Sequence, residues 1–330
     1  MKQWLLRFAT LIALLLIGGC RNDQSMLFPQ GPRAAQIAQL AWLLFGFGAA
    51  VLAIVVIALW LALRGPARIR SWLAGQAAVI AGGIVFPAVT LTALLGYGVW
   101  VMRANLRAFV SNDIQRIEII GEQWWWRVVY AAIDGTRLAS ANEVRIPVGR
   151  EVEFTLKSAD VIHSFWVPAL GGKVDMIPGR TTQLRVTADR PGIFRGQCAE
   201  YCGGPHALMA LSVIAMPTDE FQAWLTREGA FAPEPTTPLQ QRGKSLFLAA
   251  GCGACHTIRG TMANGSVGPD LSRIGARRSV GVDTLPLTQA NVARFIVDGQ
   301  HIKPGNPMPP FRIFSTEDQD ALAAYLVSLR

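Results

Sequence analysis

Acidic residues are absent between Asp23 and Asp113. Within that stretch no charge of either sign occurs between Arg33 and Arg64 or between Arg70 and Arg103, and each gap exceeds the roughly 20 residues an α-helix needs to cross a hydrocarbon core. Solvated surface helices are excluded there, and a transmembrane hairpin within residues 20–112 is expected, with spans of about 38–63 and 73–101. The loop between the spans carries Arg64, Arg68 and Arg70, and the positive-inside tendency places it in the cytoplasm, with the rest of the chain outside. Histidine is also scarce: His163, His206, His256 and His301 are the four, too few for a histidine-rich catalytic metal cluster. The net charge of +9 arises mainly in residues 1–112, which hold nine Lys and Arg against one acid, whereas 113–228 hold twelve against fourteen. No nucleic-acid motif accompanies these cations, so membrane lipid is the expected partner and nucleic acid is not.

Five cysteines are present, and two of them, Cys198 and Cys202, lie in Cys-Ala-Glu-Tyr-Cys-Gly-Gly-Pro-His-Ala-Leu-Met, residues 198–209. A disulfide between them would close a very short loop, which gains little chain entropy and is geometrically demanding. Zinc accepts two Cys and two His but has no use for Met209. Copper suits the full set: thiolates that bridge soft ions, an imidazole from His206, and a weak axial thioether from Met209. A second imidazole is then needed, and His163, in the apolar Val161-Ile-His-Ser-Phe-Trp-Val-Pro168, is the candidate.

The segments His163–Pro168, Lys173-Val-Asp-Met-Ile-Pro-Gly-Arg180 and Gly196–Met209, in this order, closely resemble subunit II of the haem–copper cytochrome c oxidases. The resemblance implies a binuclear CuA centre in which Cys198 and Cys202 bridge the coppers, His163 and His206 each bind one, and Met209 and the Glu200 carbonyl are axial. It further implies that the Glu200 side chain reaches a magnesium ion at the interface with subunit I, with Asp175 nearby. In Gly121-Glu-Gln-Trp-Trp-Trp-Arg127, three tryptophans suit an aromatic belt at a membrane surface. They also resemble the family's aromatic stretch through which electrons arrive from cytochrome c, and on that match Trp124 receives them.

Cys252-Gly-Ala-Cys-His256 is the attachment signature of a c-type haem, with thioethers from Cys252 and Cys255 and His256 as an axial ligand. It lies in a segment that reads as a complete small cytochrome c over residues 240–330. Helices are expected from Leu239 to Ala250 and from Ser315 to Arg330, the latter with a capping-box pair Ser315 and Asp318. Gly268-Pro-Asp-Leu271 reads as the loop that supports the haem histidine. Met308, held among prolines in Pro304–Pro310, is the expected sixth iron ligand; Met262 lies too close to His256 in sequence, and His301 is the rival.

The fifth cysteine ends Ile17-Gly-Gly-Cys20, which resembles a lipobox behind the apolar run Leu11–Ile17. Residues 1–19 are therefore expected as a lipoprotein-type signal peptide cleaved before Cys20; an uncleaved anchor with a chance cysteine is the alternative. Strand-like alternation over Ile114–Tyr130, Glu151–Lys157, Thr181–Thr187 and Leu208–Ala215 argues a β-sandwich, and the resemblance makes it a cupredoxin-like Greek key over 113–228. Thr218–Glu228 reads as a helix, and residues 229–239 as a proline-rich spacer that permits some reorientation.

The expected whole is multidomain: a two-helix hairpin, a CuA β-sandwich, and an all-α cytochrome c domain, set in a bacterial inner membrane with both metal domains on the periplasmic side. By resemblance it is subunit II of a proton-pumping cytochrome c oxidase. Its partners are then subunit I, other oxidase subunits, and an upstream cytochrome or quinol:cytochrome c reductase. The family's acid just before the second transmembrane helix is missing here. A nitrous-oxide reductase would need more histidines, a quinol oxidase subunit would lack the copper ligands, and a copper-delivery protein would not need Trp124, Asp175 and Arg180.

Overall fold

The computed structural model describes residues 24–107, 114–131 and 135–330. The expected signal peptide and Cys20 lie outside the described residues. The chain divides into a unit of Gln39–Asp113 and a unit that joins the residues up to Ala38 to Ile114–Arg330.

Helix α1 (Pro32–Arg64), most of which lies in the first unit, and a helical run of that unit starting at Gln76 are each long and apolar enough to cross a membrane. Proline sits at the first position of α1, where its missing N–H costs nothing. The second run comprises α3 (Gln76–Ile80), a π-helical turn Ala81–Val85 and α4 (Phe86–Arg107). Leu73, the first residue expected in this span, belongs to a separate short helix α2 (Ala67–Leu73) that also carries Arg68 and Arg70.

In the second unit, two five-stranded sheets form the cupredoxin-like sandwich, ordered β3-β2-β1-β5-β8 and β4-β10-β9-β6-β7. The strands are β1 Gln115–Glu122, β2 Trp125–Ala131, β3 Arg137–Ala141, β4 Glu143–Pro147, β5 Val152–Ser158, β6 His163–Trp166, β7 Val174–Met176, β8 Thr182–Val186, β9 Gly192–Cys198 and β10 Ala210–Met216. Pairing is parallel for β1 with β5 and for β4 with β10, and antiparallel elsewhere in the two sheets. The run Ile114–Tyr130, which alternates like one strand, is an antiparallel hairpin whose turn falls at Gln123 and Trp124. The core-facing residues are odd-numbered in β1 (Ile117, Ile119) and even-numbered in β2 (Trp126, Val128, Tyr130), so the alternation changes phase at the turn, but Trp125 and Val129 are buried as well and blur the break. Trp126, fully buried, fills that core and donates its indole N–H to the Ala210 carbonyl of the opposite sheet at 3.0 Å. That bond satisfies the one polar atom of a side chain whose burial contributes on the order of 2–3 kcal/mol.

The C-terminal domain is helical. Helix α6 (Pro238–Ala249) starts in a reciprocal capping box of Thr237 and Gln240, α7 spans Gln289–Ile302, and α8 spans Thr316–Ser328. At Ser315 only half of the expected box forms: its hydroxyl accepts from Asp318 N at 3.2 Å, while the Asp318 carboxylate accepts from Arg242 at 2.7 Å. Helices α6 and α8 cross at Gly243, and Phe247 packs edge-on against Tyr325 at 6.1 Å. The preceding helix α5 (Thr218–Gly229) closes the sandwich with Phe221 and Trp224 against Tyr130. The proline-rich spacer lies along the haem-motif domain: Ala232 N donates to Arg259 O at 3.0 Å, and Arg273 donates to Phe231 O at 3.0 Å.

Candidate metal centre and haem cavity

Three pieces of the sandwich converge at one end. Strand β6 begins with His163, β9 ends with Cys198, and the connection to β10 carries Cys202, His206 in a single 3₁₀ turn, and Met209. Because β6 pairs with β9, Phe165 lies opposite Cys198 and the ladder fixes His163 beside the loop. The two sulfurs are 3.8 Å apart and unbonded, which rules out the disulfide in this structure. His163 Nδ1 lies 3.8 Å from Cys198 Sγ, His206 Nδ1 lies 3.4 Å from Cys202 Sγ, and Met209 Sδ lies 3.8 Å from Cys202 Sγ. The Glu200 carbonyl oxygen is 3.2 Å from Cys198 Sγ. Among the described residues, His163, Cys198 and Cys202 form the one close group of His, Cys and acid side chains able to hold a metal.

The protonation chemistry of the thiols fits soft cations. Cys198 is lowered to about 4, because the Cys202 thiol donates to its thiolate and His163 adds a further hydrogen bond. The same contact pushes Cys202 upward, since a second thiolate there would set two negative charges 3.8 Å apart in a buried site. A cation between the sulfurs removes that penalty. The set of two thiolates, two imidazoles, one thioether and one carbonyl therefore fits copper, with every atom for a bridged pair within reach.

Asp160 organises the back of this site. Its Oδ1 lies 2.8 Å from His163 Nε2, a contact that holds the ring with Nδ1 directed toward the sulfurs. Its carboxylate also accepts from Gln123 N at 2.6 Å and Val161 N at 2.7 Å. Sequence reading missed Asp160; its place three residues before His163 is the signal that could have found it. The magnesium expectation fares differently. Glu200 and Asp175 are brought together, but through Lys173, whose Nζ lies 3.3 Å from a carboxylate oxygen of each. The described residues supply no third ligand there, so the magnesium finds no support.

Trp124 stands at the β1–β2 turn with its indole N–H donating to the Cys202 carbonyl at 2.9 Å; Gln123 Nε2 donates to the same oxygen at 2.7 Å. Trp124 and Trp125 line a cavity of about 380 Å³ in the C-terminal domain, whereas Trp126 belongs to the sandwich core. Two of the three tryptophans thus face the cavity and the third faces the sandwich core.

Cys252, Cys255, His256 and Met308 all line that cavity, which is otherwise walled by apolar side chains such as Leu271, Val292, Ile296 and Phe311. His256 Nδ1 donates to Pro269 O at 2.8 Å, so the loop expected to support the histidine does so and Nε2 is left free. Burial lowers the basicity of this imidazole, which keeps it neutral and able to bind a metal. Met308 is fixed by its backbone, N to Asn306 Oδ1 at 3.0 Å and O from Gln300 Nε2 at 3.0 Å. Met262 is 85% exposed, and neither it nor the exposed His301 lines the cavity. Arg277 places a cation at the wall, its guanidinium donating to Asp270 O. Two cysteines, a neutral imidazole and a thioether around an apolar cavity fit a covalently attached haem.

A family profile for the periplasmic domain of cytochrome c oxidase subunit II matches residues 132–216, and a cytochrome c profile matches 240–330. Over 346 aligned residues the chain is 35% identical to cytochrome c oxidase subunit 2 of Alkalihalophilus pseudofirmus, covering 100% of this chain and 99% of that one. The chain belongs to the cytochrome c oxidase subunit 2 family. Subunit 2 of Bacillus sp. strain PS3 is 32% identical over 224 residues, 65% of this chain and 62% of the relative. The periplasmic domain of subunit II of cytochrome oxidase from Bradyrhizobium japonicum is 33% identical and covers 34% of this chain and 91% of that one, with a TM-score of 0.32. This member of the subunit 2 family therefore carries a cytochrome c domain after its cupredoxin-like domain, and the two meet at Trp124 and Trp125.

Proposed function

We propose that this subunit 2 relays electrons in a proton-pumping haem–copper cytochrome c oxidase, from its own c-type haem through a binuclear CuA centre to haem in subunit I, where oxygen is reduced to water. The observation that carries the reading is Trp124, which hydrogen-bonds the Cys202 carbonyl with its indole N–H and also lines the haem cavity. The copper ligands would be His163, Cys198, Cys202, His206, Met209 and the Glu200 carbonyl; the haem would be held by Cys252, Cys255, His256 and Met308. Bound there, the thiolate-bridged copper pair supplies a one-electron couple, and a methionine-ligated haem supplies one of raised potential.

The chain's own residues provide the rest. Burial of His163, Cys198, Cys202 and Met209 excludes water from the sulfurs. Asp160 holds the His163 ring, and Pro269 holds the His256 ring. The apolar helices anchor the chain in a bacterial cell membrane as a multi-pass protein with both metal domains on the periplasmic side, and Cys20 is lipidated after signal cleavage. Subunit I is the partner that receives electrons, and an upstream cytochrome or quinol:cytochrome c reductase supplies them. With no acid between Asp23 and Asp113, proton uptake uses a route other than a carboxylate ahead of the second span.

The deciding experiment is metal analysis with electron paramagnetic resonance on the purified membrane complex. A copper signal delocalised over two coppers per chain, one covalent haem, and a copurifying haem-containing membrane subunit are expected. An ordinary mononuclear copper spectrum, or isolation of the chain without such a partner, would refute the reading.

A further inference from the structure

Lys303 is a haem-domain residue, yet its amine is spent on the copper domain. It follows the last residue of α7, is 2% exposed, and donates from Nζ to Trp124 O at 2.5 Å and to Leu208 O at 3.0 Å. One acceptor belongs to the turn residue between the two sites, and the other lies next to Met209 in the copper loop. A lysine buried among backbone carbonyls loses its hydration and its rotamer freedom, a cost retained only where the contacts it makes offset it.

On the other arm of the same hairpin, Arg127 reaches the opposite way. Its Nη2 donates to Ser266 O of the haem domain at 2.7 Å, and it pairs with Glu122 through contacts of 2.5 Å and 3.2 Å. Its guanidinium also lies over the Trp125 ring at 4.7 Å, so little freedom remains to it. Ser266 stands two residues before Gly268 and Pro269, which support His256, whereas Lys303 leads into the loop that presents Met308. Each candidate axial ligand thus sits on a loop tied once to the tryptophan hairpin. Between the ties the Trp124 ring is pressed close to the haem domain: a Cβ at Gly305 would stand 3.4 Å from its Cη2.

Building on the relay reading, we infer that Lys303 and Arg127 form a two-point clamp that fixes the haem-bearing loops against Trp124 and so sets the electronic coupling between the two metal sites. The acceptors of the clamp itself, Trp124 O, Leu208 O and Ser266 O, are backbone carbonyls, so no partner side chain can swing away. Other interdomain bonds, such as Arg278 N to Glu143 Oε1 at 2.5 Å and Arg145 to Ala276 O at 3.4 Å, keep the domains joined when the clamp is cut. Clamp variants therefore loosen the loops without separating the domains.

The test uses the intact oxidase with Lys303→Met, Arg127→Met, the double variant, and Lys303→Gln, which retains a donor. After rapid photoreduction of the haem, transfer to copper is expected to slow about tenfold or more in the double variant, because small misplacements of reacting partners cost orders of magnitude. Haem and copper potentials should stay in place, and Lys303→Gln should transfer faster than Lys303→Met. Independently of any electron transfer, hydrogen–deuterium exchange in the full chain should rise at residues 203–209 and 300–308 in the variants. Transfer and exchange both equal to wild type in the double variant would overturn the clamp. Exchange that rises in the variants while metal analysis of the wild type finds no binuclear copper would instead uphold the mechanical clamp and sink the relay reading.

Discussion

His163 Nε2 lies 2.8 Å from Asp160 Oδ1, while Nδ1 of the same ring faces Cys198 Sγ at 3.8 Å. A carboxylate that accepts from the remote nitrogen fixes the tautomer and raises the basicity of the other nitrogen. Asp160→Asn is therefore expected to weaken copper binding about ten- to a hundredfold, the usual cost of losing such a partner. Competition against a copper chelator, read from the copper–thiolate absorbance of the full chain, measures this. Unchanged affinity would show that the ring is oriented by packing alone.

On the haem side the comparable feature is steric. A Cβ on Gly268 would stand 2.5 Å from His256 Cε1 and 2.8 Å from Nδ1. Gly268→Ala must push the imidazole off its bond to Pro269 O, leaving Nδ1 without its acceptor. The expected result is a lower yield of covalent haem and an altered reduced spectrum in what forms. A wild-type spectrum at full haem occupancy would show that the loop yields without disturbing the ring.

The crossing of α6 and α8 makes a prediction about stability. At Gly243 a Cβ would stand 2.0 Å from Ala321 O and 2.7 Å from Tyr325 Cβ, both on a helix with little freedom to retreat. Gly243→Ala should destabilise the cytochrome c domain by about 1–3 kcal/mol, the cost of overpacking a filled site. Thermal unfolding followed in the haem absorption band would report it, with the copper band unaffected until higher temperature.

Lys303 gives docking a pH dependence. Burial takes its amine from 10.5 down to about 7, with Cys202 acting in the opposite sense. When the domains part, the amine returns to water and to its ordinary value, so between about pH 7 and 10.5 the parted form binds more protons. Docking is then strengthened as pH rises through that window, by at most about 1.4 kcal/mol per pH unit, and is weakest below it. Exchange protection at residues 203–209 should follow this slope, and the slope should vanish in Lys303→Met.

The candidate metal sites stood out because their chemistry uses rare residue types at short spacing. Cys198, Cys202, His206 and Met209 sit within one loop, and Cys252, Cys255 and His256 within five residues. The first and last helices of the cytochrome c domain were legible for a related reason, since Pro238–Ala249 and Thr316–Ser328 carry their own caps and faces, whereas α7 (Gln289–Ile302) was not read from the sequence. What escaped was contact between distant segments. Lys303 and Trp124 are separated by 179 positions and Arg127 and Ser266 by 139, and lysine and arginine are common enough that neither draws notice alone. The β1–β2 turn escaped because hydrophobic alternation reports the facing of side chains and not the direction of the chain. The spacer was read from its prolines as permitting some reorientation; in the structure its Ala232 amide and Phe231 carbonyl are bound to Arg259 and Arg273, which lie downstream.

The indole of Trp124, met on one side by the copper loop and on the other by the cytochrome c domain, is enclosed by its own polypeptide. On the proposed relay, a donor supplied in this way would exist at a ratio of one per acceptor, fixed by translation and independent of how much carrier a cell makes. Its approach would be intramolecular and the step at Trp124 first order, with an effective concentration set by the tether and the interface. Ionic strength, which governs encounters between separate charged carriers, would then act one step upstream, at the exposed surface of the cytochrome c domain.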